Sequence, residues 1–298
     1  MLIRTNVVNI GDPVVLDEGD HYVMYCSDYD VEGVLCRTST DLANWEIASM
    51  ALDGKDTWSK LSFWAPEVLK YKGKYYMHYT GRRTSDRQLR IGVAVADKPE
   101  GPFVDAHNGP MFDFGYACID GHVFIDDDDQ AYLYYSRDCS NNPIGDYKVS
   151  QIYAVKLSED LLNVISDPVL ITTPDKPYDM LSAYDRMWNE GPYVMKHEGE
   201  YYLTYSANFY ASKDYCICLA KAKHPLGPFV KDDKNNPIVR HGKEGEDFSG
   251  PGHNYFFKDH DGNLKISFHI QTNEYRPRAN RKAVIMDAKF EDGTIKVF

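Results

Sequence analysis

Three acids stand at matching places along this chain: Asp12 in Gly11-Asp12-Pro13, Asp120 in Cys118-Ile119-Asp120-Gly121, and Glu190 in Trp188-Asn189-Glu190-Gly191-Pro192. Asp120 and Glu190 lie nine residues before the turn residues Asp129 and Gly199, and Asp12 lies seven before Gly19 across a shorter hairpin. The nine-residue count from Gly73 and Gly262 reaches Trp64 and His253. Alone, each acid reads as structural, since Asp-Pro starts turns and Glu-Gly-Pro ends loops. A shared register directs all three at one axis, and carboxylates gathered without a purpose are costly. Such a set suits acid–base chemistry. One carboxylate activates water, a protonated carboxyl opposite donates to a leaving oxygen, and a third keeps that acid protonated by like-charge repulsion. Inverting glycoside hydrolysis needs this equipment.

The elements that position these residues repeat five times. A polar turn is followed by a Tyr-rich strand, as in Lys72-Gly73-Lys74-Tyr75-Tyr76-Met77-His78-Tyr79 and Glu198-Gly199-Glu200-Tyr201-Tyr202-Leu203-Thr204-Tyr205. A strand of small apolar residues comes next, then a turn with an aromatic or apolar plug, as in Pro99-Glu100-Gly101-Pro102-Phe103 and Pro225-Leu226-Gly227-Pro228-Phe229. The turn residues Gly19, Gly73, Asp129, Gly199 and Gly262 are 54, 56, 70 and 63 residues apart. Spacings near sixty suit one four-stranded antiparallel blade plus loops. The expectation is an all-β, five-bladed β-propeller forming a single domain over residues 1–298, with a site on its axis. Long amphipathic helical patterns are lacking; the best helical candidate is a turn or two within Tyr178 to Trp188.

Charge sets the class of partner. The 33 basic against 45 acidic residues argue against nucleic acid or an anionic membrane and leave a neutral sugar open. The 23 Tyr fit strands first and carbohydrate stacking second. Cys26, Cys36, Cys118, Cys139, Cys216 and Cys218 form no CxxC pair and read as reduced core thiols. The first ten residues contain no uninterrupted apolar signal segment, so the expectation is cytoplasmic, or secreted if a leader was trimmed.

Several motifs together resemble glycoside hydrolase family 43. They are the early Asp-Pro, Trp64-Ala65-Pro66-Glu67, Ile119-Asp120-Gly121-His122 running on to Asp126-Asp127-Asp128, Asn189-Glu190-Gly191-Pro192, and Gly250-Pro251-Gly252-His253-Asn254. The resemblance spans nearly the whole chain. It implies a five-bladed propeller that cleaves arabinose- and xylose-containing plant polysaccharides with inversion. By it, Asp12 matches the general base, Asp120 the carboxylate that tunes and orients the acid, and Glu190 the general acid. His253 matches a histidine that helps hold a calcium or other cation, largely through water. Arg281 is the candidate sugar contact, with Arg276 and Arg278 close by. Gly121, where many members have Pro, and Asp129, in place of a hairpin Gly, depart from the pattern without removing a carboxylate.

Trp64, Phe63 and Trp188 are the candidate sugar-stacking residues, because sugar C–H faces suit aromatic surfaces. Trp45 and Trp58 read as plugs or loop cover, and the Asp126–Asp129 run as an acidic hairpin tip. The expected activity is an exo-acting α-L-arabinofuranosidase, with β-xylosidase and endo-arabinanase as alternatives on the same acids. A propeller that binds glycans without cleaving them is the remote rival.

Overall fold

The computed structural model describes residues 2–242, 249–272 and 281–298. After the N-terminal strand β1 (Ile3–Val8), the chain forms five successive antiparallel units. The first is β2 (Ile10–Asp17), β3 (Tyr22–Asp28), β4 (Gly33–Ser39) and β5 (Glu46–Asp53). The second is β6 (Trp64–Tyr71), β7 (Lys74–Arg82), β8 (Leu89–Ala96) and β9 (Val104–Asp105). The third contains β10 (Cys118–Ile125), β11 (Ala131–Arg137), the short β12 (Pro143–Ile144), β13 (Tyr147–Lys156) and β14 (Val169–Thr172). The fourth is β15 (Arg186–His197), β16 (Glu200–Ala207), β17 (Cys216–Ala222) and β18 (Val230–Lys231). A parallel ladder of Lys148–Ser150 on Arg186–Trp188 joins the third and fourth into one nine-stranded sheet. The fifth is β19 (Ser249–Lys258), β20 (Leu264–Gln271) and β21 (Arg281–Glu291), with β22 (Thr294–Val297) and β1 both pairing on β21. The N-terminal strand thus completes the last unit.

The Tyr-Tyr pairs explain the packing. Adjacent strand residues point to opposite faces, so each pair feeds two cores. Tyr75 packs with Val14, Tyr25 and Val34 of the first unit, whereas Tyr76 packs with Val123, Leu133 and Tyr135 of the third. Tyr134 and Tyr205 share a core between units three and four; Tyr202 and Phe268 share one between four and five. A fifth core joins Phe257 and Ile285 of the last unit to Tyr22 and Met24 of the first. Every unit is therefore buried on both faces. The plugs add to this: Phe103 meets Tyr25 edge-on and Phe229 meets Tyr134 edge-on, each from the following unit.

The first strand of every unit carries a bulge. Pairing shifts between Gly11 and Val14, Trp64 and Glu67, Ile119 and His122, Glu190 and Tyr193, and Gly252 and Tyr255. At each shift one residue has left-handed backbone: Asp12 (φ 56°), Ala65 (44°), Asp120 (59°), Gly191 (56°) and His253 (51°). Non-glycine residues in that region cost about 1–3 kcal/mol each and persist where surrounding structure holds them. Here a side chain of the preceding unit does so. Ser27 Oγ accepts from Ala65 N (2.6 Å), Thr80 Oγ1 from Asp120 N (3.1 Å), Ser136 Oγ from Gly191 N (3.2 Å) and Ser206 Oγ from His253 N (2.7 Å). The Asp12 amide in turn points at Nδ1 of His269, 3.2 Å away, in the last unit. The cycle of bonds returns to its start, and bulges re-aim side chains.

This corrects the sequence register by one step. The ladder aligns Asp12, Asp120 and His253 with Ala65 and Gly191, and sets Trp64 and Glu190 one residue earlier. Counting from the turn fails because two residues join β6 to β7 and β15 to β16, but five join β10 to β11 and β19 to β20. Within residues 178–188 there is no helix: turns and the isolated Ala183–Arg186 bridge lead into β15, which begins at Arg186. Asp179 Oδ1 takes the amides of Asp175 and Lys176, committing that segment to a local turn. All six cysteines are buried and free. Asp129 takes the left-handed turn conformation (φ 64°) that glycine takes in other hairpins.

Candidate active site

The bulges bring Asp12, Asp120, Glu190 and His253 to one place. Asp12 leaves its strand at the bulge and accepts from Ser27 Oγ (2.5 Å). Its Oδ1 lies 3.3 Å from His253 Nδ1, 3.5 Å from His269 Nδ1 and 3.6 Å from Arg281 Nη1. Burial, the largest influence, pushes the Asp12 carboxyl up. The fields of His253 and Arg281 and the contacts of His269 outweigh it and hold the group well below the ordinary carboxylate range. Asp12 is therefore ionised.

Asp120 and Glu190 are shifted the other way. Burial pushes Asp120 up to about 6, with the charge of Asp12 adding to it against the field of His253. Asp120 Oδ2 accepts from Gly191 N (3.1 Å) and Ser136 Oγ (3.2 Å), bonds that favour its ionised form. Burial, then the charge of Asp120, pushes Glu190 well above the ordinary range, against a lowering bond from the Tyr215 hydroxyl to Oε1 (2.8 Å). Of this coupled pair, Glu190 holds the proton, because Asp120 has the donors that suit a carboxylate.

Two glycines make room for this geometry. A side chain at Gly11 would run into the Arg281 guanidinium, with Cζ 2.6 Å from the Cβ position, and one at Gly252 would strike the Tyr215 ring. Gly11→Ala is expected to push Arg281 away from Asp12. Losing that positive field raises the Asp12 carboxyl, so the acidic limb of kcat/KM moves to higher pH. An unmoved limb would show that Arg281 does not set this ionisation.

The other expected site residues separate. Arg281, the first residue of β21, is buried, donates from Nε to Tyr29 Oη (2.6 Å) and lies over the Tyr29 and Tyr210 rings. Arg276 and Arg278 lie outside the described residues. Trp64 is 40% exposed at the bulge, with the Arg82 guanidinium 5.9 Å from its ring. Phe63, expected to stack on sugar, is instead a core residue, packed on Tyr79 with its ring against Gly54. Its side chain points into the unit one–two core, which removes it from the stacking set. Trp188 is buried beside Phe209. Sequence reasoning missed Tyr215, Tyr29, Ser27 and Ser136. His269 lies with His253 against Asp12 Oδ1; burial, then the Arg281 charge, pushes it down to about 3, so it is neutral.

His253 was also the expected cation residue. Calcium takes six to eight oxygen ligands. Among the described residues no group of three or more His, Cys, Asp or Glu side chains converges as a metal-binding set. A cation at His253 would therefore take its other ligands from outside such a side-chain set, water among them.

An ionised carboxylate and a carboxyl held protonated in one buried cluster are the two protonation states that inverting glycoside hydrolysis calls for. The chain belongs to glycosyl hydrolases family 43, whose family model matches residues 5–295. It is 31% identical over 234 residues to a xylosidase/arabinosidase of Bacteroides ovatus, covering 72% of this chain and 67% of that protein. It is 30% identical to xylosidase/arabinosidase 43A of Humicola insolens, covering 58% of each. The chain thus spans between about half and two thirds of several curated relatives. Among solved structures, a thermostable family-43 glycoside hydrolase matches with TM-score 0.92 and 41% identity, covering 99% of this chain and 94% of that one. A protein described as endo-1,4-beta-xylanase from Bacteroides thetaiotaomicron VPI-5482 matches with TM-score 0.86 and 30% identity, covering 99% and 96%.

Proposed function

We propose that the chain is a five-bladed β-propeller and an inverting, exo-acting α-L-arabinofuranosidase on arabinan- or arabinoxylan-derived oligosaccharides. The five bulged units, cyclically bonded, support the propeller. The observation that carries the chemistry is the opposed ionisation of Asp12 and Glu190 within one buried cluster. Asp12 takes a proton from water as that water attacks the anomeric carbon. Glu190 gives its proton to the glycosidic oxygen as the bond to the leaving sugar breaks. Tyr215 fixes Oε1 of Glu190, which assigns the proton to Oε2. Asp120 stays ionised on the Gly191 and Ser136 donors and keeps Glu190 protonated. Arg281 and His253 hold Asp12 ionised and orient it. A water-held calcium beside His253 would add positive charge there and support the same ionisation.

The second reading is β-D-xylosidase, favoured by relatives named for both sugars and by a β-xylosidase of Xylanibacter ruminicola at 28% identity. Hydrolysis of p-nitrophenyl α-L-arabinofuranoside and p-nitrophenyl β-D-xyloside, measured side by side with calcium present or chelated, separates the two. Preference for the arabinoside supports the proposal, and preference for the xyloside replaces it with the second reading. Silence on both, with activity only on longer arabinan, would make the enzyme endo-acting. Loss of activity on chelation, restored by calcium, is the result expected of a cation at His253.

A further inference from the structure

The connection between β16 and β17, residues 208–215, carries two tyrosines of the site. The Arg281 guanidinium lies over the Tyr210 ring, and the Tyr215 hydroxyl donates to Oε1 of Glu190 (2.8 Å). Neither tyrosine belongs to a strand, so the loop itself must be fixed. The last unit holds its middle. Gln271 Nε2 donates to the carbonyls of Tyr210 (2.8 Å) and Ser212 (3.0 Å), and Gly250 N donates to that of Lys213 (3.2 Å).

Asn208 holds its base. This residue is 2% exposed and has left-handed backbone (φ 74°), which asparagine visits more readily than most residues. Its side-chain amide donates to the carbonyls of Asp214 (2.9 Å) and Tyr178 (3.0 Å), and its Oδ1 accepts from Leu181 N (3.1 Å). Carbonyls on one side and an N–H on the other decide which way the amide faces. The backbone N–H of Asn208 donates to the carbonyl of Trp188 (3.2 Å). Trp188 stands two residues before Glu190, and Asp214 immediately before Tyr215. Asn208 thus ties together the two segments whose side chains meet in the Tyr215–Glu190 bond. The Tyr215 ring also lies nearly parallel to His269 and close against Gly252. Those contacts restrain the plane of the ring, and the tether at Asp214 restrains its place along that plane.

We infer that Asn208 is a positioning residue for the acid step: by bonding Trp188 and Asp214 it holds the Tyr215 hydroxyl against Oε1 of Glu190, leaving the other carboxyl oxygen to face the glycosidic oxygen. The inference rests on the acid role proposed for Glu190 and adds what orients that acid. A hydroxyl donated to a carboxylate favours its ionised form. Loosening the bond therefore raises Glu190 further, so the protonated acid persists to higher pH while its proton is less well aimed.

Asn208→Gly removes the amide but keeps a residue that takes left-handed backbone without strain, and Gln271 and Gly250 still hold the loop. Asn208→Asp keeps the shape and the bond from Leu181 N, but a carboxylate cannot donate to the Asp214 carbonyl. In both, kcat on the arabino- or xylo-oligosaccharide that the wild type cleaves is expected to fall about tenfold. Turnover of the glycosyl fluoride, whose leaving group needs no proton, stays near that of wild type. The basic limb of kcat/KM moves up by about one pH unit. A double-mutant cycle with Tyr215→Phe then decides the route. If Asn208 acts through the hydroxyl, Tyr215→Phe shows the same shift and adding Asn208→Gly moves the limb no further. A wild-type limb in the Asn208 variants, or a further equal shift on the Tyr215→Phe background, overturns the inference. So does an unmoved limb in Tyr215→Phe alone, which needs no change at Asn208. Glu190→Gln measured alongside separates the two levels. A basic limb retained there counts against Glu190 as the acid and takes the inference with it. A limb lost there but unmoved in the Asn208 variants overturns the positioning role alone.

Discussion

Glu190→Gln is expected to lower kcat on arabino- or xylo-oligosaccharides by about 10²–10⁴-fold, the range for removing a positioned general acid. The loss depends on the leaving group. A sugar alkoxide needs a proton as its bond breaks, whereas fluoride or an acidic phenol does not, so the deficit shrinks steeply on those substrates. The variant also loses the basic limb of the pH profile. That limb reports Glu190, whose working form is protonated and whose carboxyl burial and Asp120 push well above the ordinary range. Activity in wild type therefore persists to higher pH than an ordinary glutamic acid would permit, then falls as Glu190 ionises. The glutamine keeps the shape and can still receive the Tyr215 hydroxyl on its carbonyl oxygen, so thermal stability should hold. An equal loss on fluoride and oligosaccharide, or a retained basic limb, would remove Glu190 from the acid role.

The repeating antiparallel units were legible because each repeats the same solution to one packing problem. A strand buried on both faces needs large side chains in succession, and Tyr75-Tyr76, Tyr134-Tyr135 and Tyr201-Tyr202 supply one to each neighbouring core. Asp12, Asp120, Glu190 and His253 were legible for a related reason, since each unit offers its odd residue at the same end of its first strand. The one-residue error in register was not avoidable from the turns. Hairpin length varies between units, while the bulge is set by a hydroxyl or imidazole from the preceding unit, more than thirty residues away at least. Phe63 illustrates the cost: next to an exposed Trp64, it reads as a second stacking residue, yet it lies just ahead of β6 with its ring in the core. Tyr215 was invisible for another reason. It stands immediately before a third strand whose sequence reads only as small and apolar, and its partner Glu190 belongs to another motif. The open space opposite it, Gly252, is the one local sign, and it reads as part of the His253 motif.

Asp12→Asn should be as damaging as loss of the acid but with a different signature. The base is needed whatever leaves, so kcat should fall by about 10²–10⁴-fold on fluoride, aryl glycoside and oligosaccharide alike. The acidic limb of the profile should vanish with it, because that limb reports Asp12. A second consequence is structural. The amide removes the carboxylate that, among the described residues, compensates the buried Arg281 guanidinium, and breaking a buried ion pair from one side costs about 3–5 kcal/mol. The sign with pH follows from the direction of the shift. The folded Asp12 is depressed below its unfolded value, so its contribution is fully present above the ordinary carboxylate range and is lost as pH falls through the folded value. The stability gap between wild type and Asp12→Asn should therefore be widest at neutral pH and close in strong acid. Chemical denaturation across that range checks it. A gap independent of pH would mean that Asp12 supports the fold by shape alone, and full activity on fluoride would end its role as base. The combination expected here, activity lost on every leaving group together with a stability cost that disappears in acid, requires one ionised carboxylate to serve both the water and the guanidinium.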